Sequence, residues 1–231
     1  DQDIFAAHQS GVSLIVNDFN TNGSFWEMPD FNPTDNDSAS DIALADVDGD
    51  GWNDLLVGGS LSPLLLFHND GGLYTNHVWW ESQAKGTVGG LELADMDNDG
   101  DFDIVVGFEG QKNMVFTNYD GVIETVASWQ TTTFSDTLSI EVGDIDGDGD
   151  NDVIFGNAEV ADEIYLNHDR AVSNEYGWHD EVLTSTQSVE SADVNGDGYM
   201  DVFFGNNLLY TGTGDDTAGT GNDMLYLGSA D

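Results

Sequence analysis

The sequence predicts an all-β fold, a β-propeller or propeller segment with blades of three or four short strands, and three observations predict it. An acidic nine-residue stretch recurs four times, with first residues 46, 95, 144 and 193, always 49 apart. Each copy runs straight into a short β-branched and aromatic run: Leu55 to Val57, Ile104 to Val106, Val153 to Phe155 and Val202 to Phe204. Gly, Asn and Asp turns separate the apolar runs, and none of them carries a helical period.

Each acidic stretch reads as a cation loop. Loop I is Asp46-Val-Asp48-Gly-Asp50-Gly51-Trp52-Asn-Asp54, and loop II is Asp95-Met-Asp97-Asn-Asp99-Gly100-Asp101-Phe-Asp103. Loop III is Asp144-Ile-Asp146-Gly-Asp148-Gly149-Asp150-Asn-Asp152, and loop IV is Asp193-Val-Asn195-Gly-Asp197-Gly198-Tyr199-Met-Asp201. Side-chain oxygens at positions 1, 3 and 5, Gly at 6 for the turn and a carbonyl at 7 make the first half of a calcium loop. A helix–loop–helix site would place Glu at position 12, where this chain has Val57, Val106, Phe155 and Phe204 inside strands. The last ligand therefore falls to position 9 (Asp54, Asp103, Asp152, Asp201), which makes a strand–loop–strand site for Ca²⁺.

Charge narrows the partners. Only Lys85, Lys112 and Arg170 oppose 45 acids, of which 17 lie in the loops. Four Ca²⁺ ions would move the formal charge only from −42 to −34, so the excess covers the rest of the surface. Such a surface has nothing to neutralise phosphates, which excludes nucleic acid and anionic membranes as partners. It suits salty surroundings, where screening shortens repulsion. No apolar run approaches the length of about 18 residues needed for a membrane span. The N-terminus carries no secretory signal, so export implies a leader removed or outside this chain. With no Cys, disulfides do not hold the fold. The 39% hydrophobic and 11% aromatic content argues for a packed core over disorder.

The repeat extends beyond its loop. Gly58, Gly107, Gly156 and Gly205 each stand four residues after a loop's last Asp. An aromatic-x-Asn follows at Phe67-His-Asn69, Phe116-Thr-Asn118 and Tyr165-Leu-Asn167, and then Trp80, Trp129 and Trp178, again 49 apart. A short strand precedes each loop. The units run over 40–88, 89–137 and 138–186, with a partial first unit at 1–39 and a shortened last one with a Gly-rich tail at 187–231.

Loop, Gly and aromatic-x-Asn kept in register over about 40–210 resemble the FG-GAP/VCBS repeats of integrin α-subunit heads and many bacterial secreted proteins. The resemblance implies a β-propeller with Ca²⁺ loops between the first two strands of each blade. It implies four ligand sets. Loop I contributes Asp46, Asp48, Asp50, the Trp52 carbonyl and Asp54, and loop II Asp95, Asp97, Asp99, the Asp101 carbonyl and Asp103. Loop III contributes Asp144, Asp146, Asp148, the Asp150 carbonyl and Asp152, and loop IV Asp193, Asn195, Asp197, the Tyr199 carbonyl and Asp201. Asn195 supplies one charge fewer, so its site should bind most weakly.

The ends depart from the pattern. Asp3 reads as position 9 of a further loop, with Asn17 and Trp26 in the places of the later Asn and Trp. Gly228-Ser-Ala-Asp231 looks like Val189-Glu-Ser-Ala-Asp193 stopped at a loop's first residue. The chain is then either a piece of a longer array or one that pairs head to tail with copies of itself. Residues 218–226 also fit most of the RTX calcium nonapeptide, against a plain Gly-rich hairpin ending in a strand. Asn22 and Asn36 match the N-glycosylation acceptor.

Other residues divide between packing and contact. Periodic Trp80, Trp129 and Trp178 suit wedges between blades, whereas the non-periodic Trp52 and Trp79 are the candidate ligand-binding surface. Glu92, Glu141 and Glu190, three residues before their loops, would converge if the first strands line the axis. The five His share no metal-ligand spacing, and His68 and His168 read as surface residues. No nucleophile or phosphate-loop motif is present, so the chain reads as non-catalytic. Three classes fit: an extracellular or cell-surface calcium-stabilised module for adhesion to a protein or glycan, a subunit of a head-to-tail polymer, and the propeller of a secreted polysaccharide hydrolase or lyase.

Overall fold

The structure, a computed structural model, describes residues 3–18, 24–27, 38–71, 73–74, 76–175, 177–179, 185–207 and 223–228. Every regular element among them is a strand, and all ladders are antiparallel. A leading unit pairs β1 (Ile4–His8), β2 (Gly11–Asp18) and β3 (Ser24–Glu27). Four blades follow, numbered here by the loop each contains.

Blade I is β4 (Ala39–Ala45), β5 (Asp54–Gly59), β6 (Ser62–Phe67) and the first half of β7 (Trp80–Ala94). The second half of β7 opens blade II, which adds β8 (Asp103–Glu109), β9 (Met114–Phe116), the small hairpin β10 (Asn118–Tyr119) and β11 (Val122–Ile123), and β12 (Trp129–Gln130). Blade III repeats this plan with β13 (Thr137–Gly143), β14 (Asp152–Asn157), β15 (Glu163–Tyr165), the hairpin β16 (Asn167–His168) and β17 (Ala171–Val172), and β18 (Trp178–His179). Blade IV is β19 (Ser185–Ala192), β20 (Asp201–Asn207) and β21 (Met224–Tyr226). Each loop joins the first strand of its blade to the second, as expected.

The second strands of blades I to III bury an apolar run on both faces because both faces are covered, whereas in blade IV Phe203 is 41% exposed. Successive side chains point to opposite faces, and the buried clusters sort accordingly. Leu55 and Val57 pack with Val12 and Leu14 of the leading unit, whereas Leu56 packs with Ile104 and Val106 of blade II. Val105 packs toward Val153 and Phe155, and Ile154 toward Val202 and Phe204. Each cluster thus lies between consecutive blades, and no blade has a core of its own.

The periodic Gly and Trp serve those same interfaces. A Cβ on Gly107 would lie 2.5 Å from Thr137 Cγ2 and 2.7 Å from Ile140, and one on Gly156 would lie 2.7 Å from Val189. The next blade's first strand presses on the glycine, so any larger residue overpacks the joint. Trp80 meets Phe116 edge-on, Trp129 meets Tyr165, and Trp178 packs on Phe204 and Tyr226, always in the following blade. These three are wedges, as their period predicts.

Two sequence expectations need correction. The boundary at 88/89 falls inside β7, a continuous strand whose ladder shifts register between Val88 and Gly90. At the other end, Tyr226 pairs with Val202 as Phe67 does with Leu55, so β21 is the third strand of blade IV. Gly228 therefore occupies the Asn place of aromatic-x-Asn and does not begin another loop. Asp223 accepts the Asn206 N–H as Asp162 accepts that of Asn157, and residues 218–222 of the RTX-like stretch lie outside the described residues. Residues 208–222, 229–231, Asn22 and Asn36 lie outside the described residues. In the leading unit Trp26 stands opposite Val16, two residues out of step with Trp80 opposite Leu66.

Candidate metal centres

The loops build themselves from backbone N–H groups folded onto carboxylates. At position 1, Asp46, Asp95, Asp144 and Asp193 each accept a bond from the N–H of the Gly at position 6, at 2.8–3.1 Å. That Gly has φ between +92° and +102° in all four loops, a region L side chains avoid. Position 5 (Asp50, Asp99, Asp148, Asp197) accepts from the N–H of position 7, which is Trp52, Asp101, Asp150 or Tyr199.

Position 9 is the anchor. Asp54, Asp103, Asp152 and Asp201 are essentially fully buried. One oxygen of each accepts the N–H of position 2, from Val47, Met96, Ile145 or Val194. The other accepts the N–H of Asn69, Asn118, Asn167 or Gly228 at the end of the third strand. One carboxylate thereby ties loop, second strand and third strand together.

The electrostatics of this arrangement are unfavourable without a cation. Burial pushes Asp103 and Asp152 up to about 6, despite the bonds each receives, with like charge from Asp97 and Asp146 adding to it. Burial also raises Asp54 and Asp97, the latter helped by Asp99 and Asp95. Oδ1 of Asp46 and Oδ1 of Asp97 are buried without a hydrogen-bond partner. In loop II oxygens of Asp95, Asp97 and Asp99 converge within 4.8 Å, as do those of Asp144, Asp146 and Asp152 in loop III. Hard oxygens, orphaned and mutually repelling, fit a divalent ion of the calcium type. In loop IV the Asn195 amide instead donates to Asp201, at 3.5 Å.

Three contributors escaped the sequence reading. His68 and His168 reach into loops I and III: His68 Nε2 lies 2.8 Å from Asp48 Oδ2, and His168 Nδ1 lies 2.7 Å from Asp148 Oδ2. They follow the loops by about 20 residues at different offsets from Asn, so no spacing exposes them. The Asn of aromatic-x-Asn is an inter-blade staple, Asn118 donating to the Val47 carbonyl of loop I and Asn167 to the Met96 carbonyl of loop II. The Asp101 and Asp150 side chains, expected to matter only through their carbonyls, accept the N–H of Asp120 and of Arg170 in their own blades' hairpin turns.

The other candidates fall in two places. Trp52 and Trp79 are 48% and 38% exposed and share the rim of loop I, where Trp79 lies against His68 with ring centres 5.3 Å apart. Glu92, Glu141 and Glu190 do converge along the first strands. Burial, then Glu141, Asp41 and Glu190, push Glu92 up to about 7.

A family model described as FG-GAP-like repeat matches residues 1–57, 46–106, 95–155 and 146–204. The chain belongs to the FG-GAP-like repeat family. Matched spans overlap because each runs from one loop, or from the leading unit, into the second strand of the next blade. Curated protein sequences gave no match. Among solved structures, this FG-GAP-like chain is similar to BBS1N in complex with ARL6DN, at 12% identity and TM-score 0.51, over 71% of this chain and 50% of that one. It is also similar to the V. cholerae biofilm matrix protein Bap1, at 18% identity and TM-score 0.52, over 86% of this chain and 32% of that one. The chain thus spans half or less of the length of these structures, and at such identities the likeness shows the fold, an all-β propeller segment.

Proposed function

We propose that the chain is an extracellular, calcium-stabilised repeat module for adhesion or surface assembly, without catalysis of its own. The observation that carries this reading is the buried position-9 carboxylate, repeated four times at the junction of loop, second strand and third strand. With Lys85, Lys112 and Arg170 the only strong bases, ion pairing cannot neutralise these junctions, and a divalent cation at each would. Asp46, Asp48, Asp50 and Asp54 and their counterparts would hold it, so metal binding becomes part of folding.

An extracellular setting fits both the acidity and the matrix protein among the structural neighbours. Trp52 and Trp79 form the contact surface for a protein or glycan, since they alone among the described Trp side chains are not committed to a blade joint.

Unfolding with and without EGTA tests this. At about 2 mM calcium and a Kd of about 10⁻⁴ M, typical of the tight end of extracellular sites, one site contributes roughly 2 kcal/mol and four contribute roughly 7. At roughly 2–4 °C per kcal/mol for a chain of this size, the chelator should lower the midpoint by more than about 10 °C. Equal midpoints would overturn the calcium reading, and retained glycan-array or pull-down signal in Trp52→Ala would remove the contact surface.

A further inference from the structure

The four loops differ in how they touch one another. Between loops II and III three side-chain amides cross. Asn151, at position 8 of loop III, donates to the Asp95 carbonyl at 2.8 Å. Asn167 donates to the Met96 carbonyl at 2.7 Å. Asn98, at position 4 of loop II, donates to the Gly149 carbonyl at 3.4 Å and to Asp150 Oδ1. Between loops I and II Asn118 alone among the described side-chain amides crosses, because position 4 of loop I is Gly49 and position 8 of loop II is Phe102. Between loops III and IV the same three places hold Gly147, Met200 and Gly228, and none has an amide to offer.

Asn98 carries a second sign of this role. The fourth position adopts φ of +76°, +81° and +78° at Gly49, Gly147 and Gly196, and +55° at Asn98. Glycine enters that region freely, and Asn does so at some cost. In loop II that cost accompanies the one side chain among the four that reaches the neighbouring loop.

We infer that loops II and III form a coupled pair of cation sites, with Asn98 and Asn151 as the positioning residues, while loop IV binds independently. This rests on the calcium reading above. Asn98 sits between two ligands of site II, Asp97 and Asp99, and holds the backbone that flanks the seventh-position carbonyl of site III. Asn151 sits between two ligands of site III and holds the carbonyl of Asp95, the first ligand of site II. An ion that orders one loop therefore fixes donor and acceptor groups that the other loop must order to bind. The second ion meets a smaller ordering cost, which is positive cooperativity carried by conformational entropy.

Calcium isotherms on the full chain, measured by competition with a chromophoric chelator, test this, with folding followed by circular dichroism. Asp97→Ala should bind one ion fewer and weaken one further site about tenfold. Asp197→Ala in loop IV should lose its own ion and leave the others unchanged. The double variant Asn98→Ala/Asn151→Ala removes no ligand, so it should keep the wild-type stoichiometry and lose the cooperative part of the isotherm. It decides the matter alone if Asp97→Ala fails to fold. An unchanged isotherm in the double variant, or unchanged remaining sites in Asp97→Ala, overturns the coupling and leaves the calcium reading standing. Absence of calcium binding in the wild-type chain overturns both.

Discussion

Blades II and IV carry the same loop, the same anchor carboxylate and the same second strand, yet they are held very differently. The Asp103 anchor of blade II works beside a staple: Asn118 donates its N–H to Asp103 and its amide to the loop of the preceding blade. In blade IV Gly228 gives the same N–H to Asp201 and nothing more. Gly107 is pressed by the first strand of blade III, whereas among the described residues a Cβ on Gly205 would meet Ser188 of its own blade, at 3.2 Å. The motif specifies a loop, and the residues around the motif decide whether that loop is a joint. A blade is therefore as stable as its neighbours make it, as expected of arrays stabilised by nearest-neighbour interfaces.

The sharpest way to break the comparison is at the anchor. Asp103→Ala leaves two buried N–H groups without an acceptor and should cost about 3–5 kcal/mol in denaturant titration. Asp201→Ala should cost less than half of that, and equal losses would show the neighbouring blades to be irrelevant.

Next comes the glycine. Gly107→Ala should cost about 2 kcal/mol by overpacking against Thr137 and Ile140, and Gly205→Ala below about 1 kcal/mol.

A smaller effect concerns the ion. Asn195→Asp in loop IV replaces an amide that donates to Asp201 with a charged ligand, and should tighten the weakest site about five- to tenfold in a calcium isotherm.

The last effect, weakened by solvent screening of a half-buried side chain, concerns Glu92, whose carboxyl is raised from 4.5 to about 7 by burial and by Glu141, Asp41 and Glu190. A raised carboxyl contributes stability that is complete below the unfolded value and lost as pH climbs through the folded one. Glu92→Gln, which mimics the protonated form, should raise the midpoint above pH about 7 and match wild type below pH about 4.5. A difference of the same size at both pH values would place its effect in packing and not in charge.

Much of this was legible in the sequence because it is local and periodic. Loop, following strand, Gly and Trp are each set by contacts that recur every 49 residues, so the spacing displays the contact. The tail escapes the period because its third strand is displaced: Tyr226 comes 61 residues after Tyr165 and so falls out of register. Gly228-Ser-Ala then imitated the approach to a loop. His68 and His168 were hidden for a related reason. Each meets its loop from just beyond the third strand, at a different offset from the Asn, and a contact made from two unlike positions leaves no period. The Asn staples were visible as a pattern, but their function depends on which blade they face, which only the assembled fold supplies.

The unbroken strand β7 has a consequence for how such a chain can be cut or recombined. Residues 80–94 serve as the outer strand of one blade and the inner strand of the next, within a single seven-stranded sheet. Splicing at the nominal repeat edge would cut the strand inside its ladder with β8, which begins at Thr87, and would part that ladder from the β6 pairs at 80–86 on the same strand. The unit that can be duplicated or swapped without injury therefore runs from loop to loop, and the stretch from 46 to 94 travels as one piece.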